Sequence, residues 1–289
     1  MPGRTPLTSV ADRPIVHLFQ DTYTLYRRAF LRMFRVPAQL YFSLVQPLVW
    51  FILFGQLFSR LTTGFGAASA KSPLTAQFGT SNYSAFFLPA IIIQVLLFGS
   101  ANAALAVIGD DQSGYLNKLR MAPINRFAIL MGAILADLTR ILVQVLILLI
   151  VGLVFGVRFA HWELIPFIFI IAFLFSLVVG GFGLYIGLTT RSAQMTILVI
   201  NFFTLPLLLI SSAQLPITLL PDWLQVIARF NPVTYGIDSI RVIVTGLNAQ
   251  QISEGQNVWS ILLLGMGILF VLAFIAMAAA TYRFSKQIK

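Results

Sequence analysis

"LPDWLQVIARFNPVTYGIDSIR", residues 220–241, holds two acids, two arginines and two prolines between long apolar runs. It is too charged to cross a bilayer and too apolar for an ordinary loop, so its neighbours decide what it is. A bilayer core is ~30 Å thick and a helix rises ~1.5 Å per residue, so a span takes ~20 apolar residues. The flanking runs, Met195–Ser212 and Trp259–Tyr282, meet that need. Further out, so do Leu40–Phe58, Ala85–Ile108, Ala128–Val157 and Ile165–Leu188. Their apolar residues run continuously instead of alternating with period two, which favours helices over a barrel. The third is too long for a simple crossing and contains Asp137 and Arg140, so it is expected to tilt or to enter obliquely.

Composition points the same way. Of the 289 residues 58% are hydrophobic and 10% charged, and the mean hydropathy is +0.90. Soluble domains carry about 25% charged residues, so this chain lacks the polar surface to cover itself. It has no cysteine and only His17 and His161, which leaves no disulfide framework, thiolate site or histidine metal cluster. The net charge of +10 sorts by side of the membrane. With the N-terminus inside, thirteen of the nineteen Lys and Arg fall in cytoplasmic segments, five fall outside, and Arg140 lies within a span. That excess places both termini in the cytoplasm. Nucleic-acid binding would need a basic solvated domain, and the sequence offers none.

Residues 1–39 lack the apolar core and small-residue cleavage site of a secretory signal. Within them, "IVHLFQDTYTLYRRAFLRMFRVP" (15–37) sets Leu25, Phe30 and Phe34 among Arg27, Arg28, Arg32 and Arg35. This predicts an amphipathic helix in the headgroup region, either a plain anchor or one that also touches a cytoplasmic partner. Between the second and third spans, "GDDQSGYLNKLRMAPINR" (109–126) puts helix-starting Asp110, Asp111 and Ser113 before a short "YLNKLRMA", stopped by Pro123. That is a helix suited to a groove on another protein, or an interfacial turn.

In the opening stretch, Trp223, Leu224, Ile227 and Phe230 share a helical face, with Asp222, Gln225 and Arg229 turned away. Asn231–Pro232 breaks the helix. Beyond it, Ile237, Ile240 and Val244 lie opposite Asp238 and Arg241, which can pair at i,i+3. Two short amphipathic helices joined this way predict an external re-entrant hairpin with its charges on one outer side. A helix lying on the surface is the simpler alternative. Gln46, Gln94, Gln144 and Asn201 sit at membrane depth and either bond between helices or line a path. Phe54, Phe202 and Phe203 offer aromatic surface to a substrate or simply pack. Asp137 and Arg140 are expected to pair with each other, and "GGFGLYIGL" (180–188) to permit close helix contact.

Three stretches carry a resemblance. They are "RVPAQLYFSLVQPLVWFILFGQLF" (35–58), with its Arg-x-Pro entry and mid-span proline; "SGYLNKLRMAPINR" (113–126), with a Gly, a Leu pair and a Pro before a basic residue; and 220–241, with Trp, Asn-Pro and acid-x-x-Arg. With six spans at this spacing, the chain resembles the membrane subunit of an ABC type-2 exporter of the drug-resistance-type (daunorubicin-resistance-like) subgroup, over nearly its whole length. It departs from the pattern at Asn117, where many members carry Glu, and at Ala90 after Pro89, where Gly is common.

The resemblance implies one membrane domain over 1–289: an interfacial segment (1–39), six spans (40–282) and a short tail (283–289). The fold is an all-α integral membrane protein in a bacterial or archaeal cell membrane, surrounded by lipid. Two permease copies, a homodimer, would work with two copies of a separate ABC ATPase that binds ATP and Mg. The chain itself has no G-x-x-x-x-G-K-S/T loop, so no cofactor, metal or catalytic residue is expected on it. Coupling to the ATPase would fall to Gly114, Tyr115, Leu116, Leu119, Arg120, Pro123 and Arg126. The substrate path would involve Gln46, Phe54, Gln94, Asn201 and Phe202, and an external gate Trp223, Phe230, Asn231, Pro232, Asp238 and Arg241. The implied cargo is a drug or small amphipathic molecule, with a lipid-linked glycan or lipid precursor as the alternative. A channel or assembly factor without ATPase is the other class. A membrane enzyme would need clustered His, Asp or Glu, and the loops show only scattered acids.

Overall fold

The computed structural model describes residues 15–34, 37–64, 83–99, 101–115, 121, 126–214, 217, 220–246 and 257–286, and their regular structure is helical. In chain order these are α1 (Ile15–Phe34), α2 (Pro37–Gly64), α3 (Tyr83–Gly99), α4 (Ala101–Gln112) and α5 (Arg126–Val154). A 3-10 turn (Trp162–Leu164) leads into α6 (Ile165–Thr190), followed by α7 (Ala193–Leu209), α8 (Asp222–Phe230), α9 (Pro232–Thr245) and α10 (Val258–Lys286).

Among the described residues, four stretches are long and apolar enough to cross a membrane: Tyr83–Gln112, Phe127–Val154, Trp162–Thr190 and Val258–Lys286. The first and fifth predicted spans correspond to shorter apolar helices, Ser43–Phe58 within α2 and Ala193–Leu209. The second predicted span falls on α3 and α4, with Ser100 between them outside the described residues. The over-long third span finds its explanation in packing. α5 has 29 residues, ~43 Å at ~1.5 Å per residue, and its first half carries α1 on its side. A Cβ on Gly132 would lie 2.8 Å from Leu25 Cβ, and the Tyr26 hydroxyl sits 3.2 Å from Thr139 Oγ1. α1 is therefore docked along α5.

The most extensive helix–helix contact is between α6 and α10. Gly181 brings the two backbones together: a Cβ there would meet Ala276 Cβ at 3.0 Å and Met277 N at 3.2 Å. The small residues read from 180–188 thus do provide close packing, with Gly180, Gly181, Gly183 and Gly187 all buried. α3 is buried along its length except at Gln94 and Phe98, enclosed by α2, α5 and α9. Against α2 it builds an aromatic ladder, with Phe58 stacked on Tyr83 at 4.6 Å and Phe54 on Phe87 at 5.8 Å.

The 220–241 stretch does break at Asn231, but its second helix is not two-faced. From Val233 to Val244 every residue of α9 but Tyr235 is buried, Asp238 and Arg241 included. The expectation of charges on an outer side is corrected here, because α9 is covered by α3, α6 and α10 together. Gly246 ends the helix at φ +60°, and a Cβ there would strike Ala160, whose N–H bonds to the Val244 carbonyl at 3.1 Å.

Candidate functional site

Among the described residues, three polar clusters bear on the predicted sites. At the first, α1 meets the end of α4. Arg28 Nη1 and Nη2 donate to Asp110 Oδ2 and Oδ1 at 3.2 and 3.3 Å, and the guanidinium lies 3.4 Å from the centre of the Tyr115 ring. Gly114, at φ +71°, turns the chain between these partners. Of the predicted coupling residues, Tyr115 thus stands against α1, with Gly114 turning the chain just before it. Leu116, Leu119, Arg120 and Pro123 lie outside the described residues, as does the side chain of Arg126, the first residue of α5.

The second place is inside the bundle. Arg140 Nε and Nη2 donate to Asp137 Oδ1 at 2.9 and 2.7 Å, Nη2 also to the Gly99 carbonyl at 3.0 Å, and Nη1 to Ser43 Oγ at 3.3 Å. Gln144 Nε2 reaches the same Ser43 Oγ at 2.6 Å, and Asn102 Nδ2 joins Arg140 on the Gly99 carbonyl at 2.7 Å. Gly99 is the last residue of α3, where a helix leaves carbonyls without partners of its own. The buried charge pair therefore also holds the last carbonyl of α3. Gln144, read as a path or packing residue, falls on the packing side of that choice.

The third place is the junction of α7 with the 220–241 stretch. Asn231 Oδ1 accepts from Val233 N at 3.0 Å, capping α9, while its Nδ2 donates to the Leu207 carbonyl near the end of α7 at 2.6 Å. Pro232 occupies the first turn of α9, where its missing N–H costs nothing. Arg241 Nη1 donates to Asp238 Oδ1 at 3.0 Å, Ser212 Oγ donates to the same oxygen at 2.7 Å, and Arg241 Nη2 donates to the Ser212 carbonyl. The guanidinium also lies 4.0 Å from the Phe86 ring centre on α3. α8 stands off this junction: Trp223 and Phe230 are 65% and 83% exposed.

The residues read as a path are not brought together within one chain. Gln46 on α2, and Asn201 and Phe202 on α7, are exposed on outward faces, with Phe202 72% exposed. Gln94 is half-buried on α3, and Phe54 is half-buried in the α2–α3 ladder.

The ABC-2 type transporter family matches residues 20–245 of this chain. The chain is 32% identical over 225 residues to a Cyanophora paradoxa protein named as transport permease ycf38, covering 78% of this chain and 74% of that one. It is 24% identical over 244 residues to the daunorubicin resistance ABC transporter permease protein DrrB1 of Streptomyces coeruleorubidus, covering 82% and 80%. To a Mycobacterium tuberculosis (strain ATCC 25618 / H37Rv) protein named as doxorubicin resistance ABC transporter permease protein DrrC it is 27% identical over 182 residues, 60% and 63% of the two chains. The chain belongs to the ABC-2 type transporter family.

As a membrane permease of an ABC transporter, it belongs to a family whose members work with an ABC ATPase. Sequence reading missed several of the permease's organising residues. Ser43, Gly99 and Ser212 carry hydroxyls or carbonyls that no pattern distinguishes from their neighbours. The Arg28 fork was within reach, since an arginine on an amphipathic helix and an acid before a turn are each visible, but their pairing across 82 positions is not.

Proposed function

We propose that this permease is the membrane half of an ATP-driven exporter of drugs or other small amphipathic molecules, with ATP and Mg bound by a separate ATPase. The observation that supports this cargo is the kinship with a daunorubicin resistance permease over four-fifths of both chains. In this reading the chain is one domain over 1–289 that crosses a bacterial or archaeal cell membrane six times, α2 and α7 included. Both termini lie in the cytoplasm, and two permeases and two ATPases make the unit. The outward faces holding Gln46, Asn201 and Phe202 support a path lined between two permease copies, with Gln94 and Phe54 behind it. An ATPase pressing on Tyr115, Leu116, Leu119, Arg120, Pro123 and Arg126 would also move α1, because Arg28 ties that helix to Asp110 and Tyr115. The α8–α9 hairpin serves as the outer gate. Its exposed Trp223 and Phe230 meet lipid or the second copy, and the pinned α9 forms its base.

The test is ATPase activity of the co-purified complex across a panel of daunorubicin-like drugs and lipid-linked sugars. Drug stimulation is the expected result; stimulation by lipid-linked sugars alone would reassign the cargo, and failure to recruit any ATPase would leave a channel or assembly factor. Leu119→Asp and Arg126→Glu should keep basal ATPase activity but lose export. Wild-type export with normal stimulation in both would sink the coupling role.

A further inference from the structure

We propose that the groove between α5, α6 and α10 binds an anionic glycerophospholipid from the leaflet at the C-terminal end of α10, which is the cytoplasmic leaflet in the orientation proposed above. The groove holds about 520 Å³ and is walled by Phe127, Met131, Leu177, Phe274, Ala278 and Tyr282. Along α10 it runs from Phe270 to Ser285, ~22 Å at ~1.5 Å per residue. That exceeds the ~15 Å of one leaflet's half of the hydrocarbon core, so an acyl chain fits lengthwise.

Polarity gives the groove a direction. Its walls are apolar until the last turns of α10, where Tyr282 and Ser285 bring hydroxyls. The exposed Lys286 follows, its Nζ 4.7 Å from the Tyr282 ring centre, and among the described residues it makes no ion pair. Thr281 lines the groove with its other atoms, since its hydroxyl is buried away from the opening. The exposed Tyr282 brings a hydroxyl that can donate to a glycerol ester carbonyl. Lys286 lies one turn further on, ~6 Å along the axis, where the phosphate of the same lipid would sit. A basic rim on a groove between membrane helices, at the cytoplasmic side, selects anionic headgroups. Another groove, about 430 Å³ between α6, α7, α9 and α10, is lined by apolar side chains with Tyr185 and Thr204. Neither groove has a charged lining residue; the first differs in having Lys286 over the ring of its lining Tyr282.

The test is native mass spectrometry of the full-length permease, delipidated in detergent and titrated with dioleoyl phosphatidylglycerol or dioleoyl phosphatidylcholine. One phosphatidylglycerol should be held at least about fivefold more tightly than phosphatidylcholine, the effect of one cation near the headgroup. Lys286→Gln should erase that preference while phosphatidylcholine binding stays. Ala278→Trp, at an exposed groove position where bulk does not disturb the core, should expel the bound lipid. Ile275→Trp, which fills the other groove, should leave it in place. Equal retention of both lipids by the wild type would overturn the proposal. So would phosphatidylglycerol binding untouched by Ala278→Trp, or Ala278→Trp splitting a dimer, which would assign the groove to a second copy. The measurement needs no ATPase, so lipid retention stands or falls separately from drug-stimulated ATPase activity.

Discussion

Asp137–Arg140 on α5 and Asp238–Arg241 on α9 have the same spacing, similar burial and the same carboxylate-to-guanidinium bond, yet they come from opposite kinds of sequence. The first interrupts an apolar run, where only self-pairing makes sense. The second sits in a stretch rich in charge and proline, where an outward-facing pair is the natural reading. Both end inside the protein, because each arginine has more to hold than its aspartate. Arg140 takes the terminal carbonyl of α3 and Ser43 of α2; Arg241 takes the Ser212 carbonyl and the face of Phe86. The difference lies in reach. One pair closes the C-terminal end of α3 against α2 and α5, while the other fastens α9 and the turn after α7 near the N-terminal end of α3. A buried pair contributes little net stability as a pair, but removing one partner strands the other charge.

The comparison can be broken at graded cost. Arg140→Met should be the most damaging change, about 3–5 kcal/mol, since it strands Asp137 and leaves the Gly99 carbonyl to Asn102 alone. Thermal unfolding of the detergent-solubilised protein should show it, and adding Asp137→Leu should recover most of the loss. If the double variant were no better than the single, the stranded charge would not be the cause. Asp238→Ala should cost somewhat less, about 3 kcal/mol, because Arg241 keeps the Ser212 carbonyl and the Phe86 ring; a loss larger than that of Arg140→Met would reverse the ranking. Asn231→Ala removes a cap and the bond to the Leu207 carbonyl, about 1–2 kcal/mol, and should raise hydrogen exchange at the start of α9. Ser43→Ala is the mildest, about 1 kcal/mol, because Arg140 retains its other partners; a double-mutant cycle with Gln144→Leu should show coupling through the shared oxygen.

Much of this architecture was legible in the chain. Apolar run length marks the helices, Asn231–Pro232 marks the break, and i,i+3 spacing marks both ion pairs, because each depends on neighbours in sequence. What stayed hidden depends on partners far away. Of the two partners of the Gly99 carbonyl, Asn102 is near in sequence but Arg140 is 41 positions on, and that bond no local pattern announces. Nothing in "GIDSIR" tells that its charges turn inward, because that is decided by α3, α6 and α10 closing around α9. The coupling segment was read from its pattern, and most of it lies outside the described residues; within them Tyr115 meets α1 and Arg126 opens α5. The path residues looked like one set because all are polar or aromatic at membrane depth; in the fold they divide between outward faces and an inner ladder.

Backbone contact at Gly181 has a mechanical meaning. Helices separated by long side chains can slide, since rotamers readjust, but two backbones that touch leave nothing to readjust. α6 and α10 therefore form a single stiff keel, and α9 is wedged against it where Gly265 leaves room for the Tyr235 carbonyl, 3.2 Å from where a Cβ would stand. Outside the keel, α2 rests mainly on α3, α1 lies along α5, and α7 is held at its far end by the amide of Asn231.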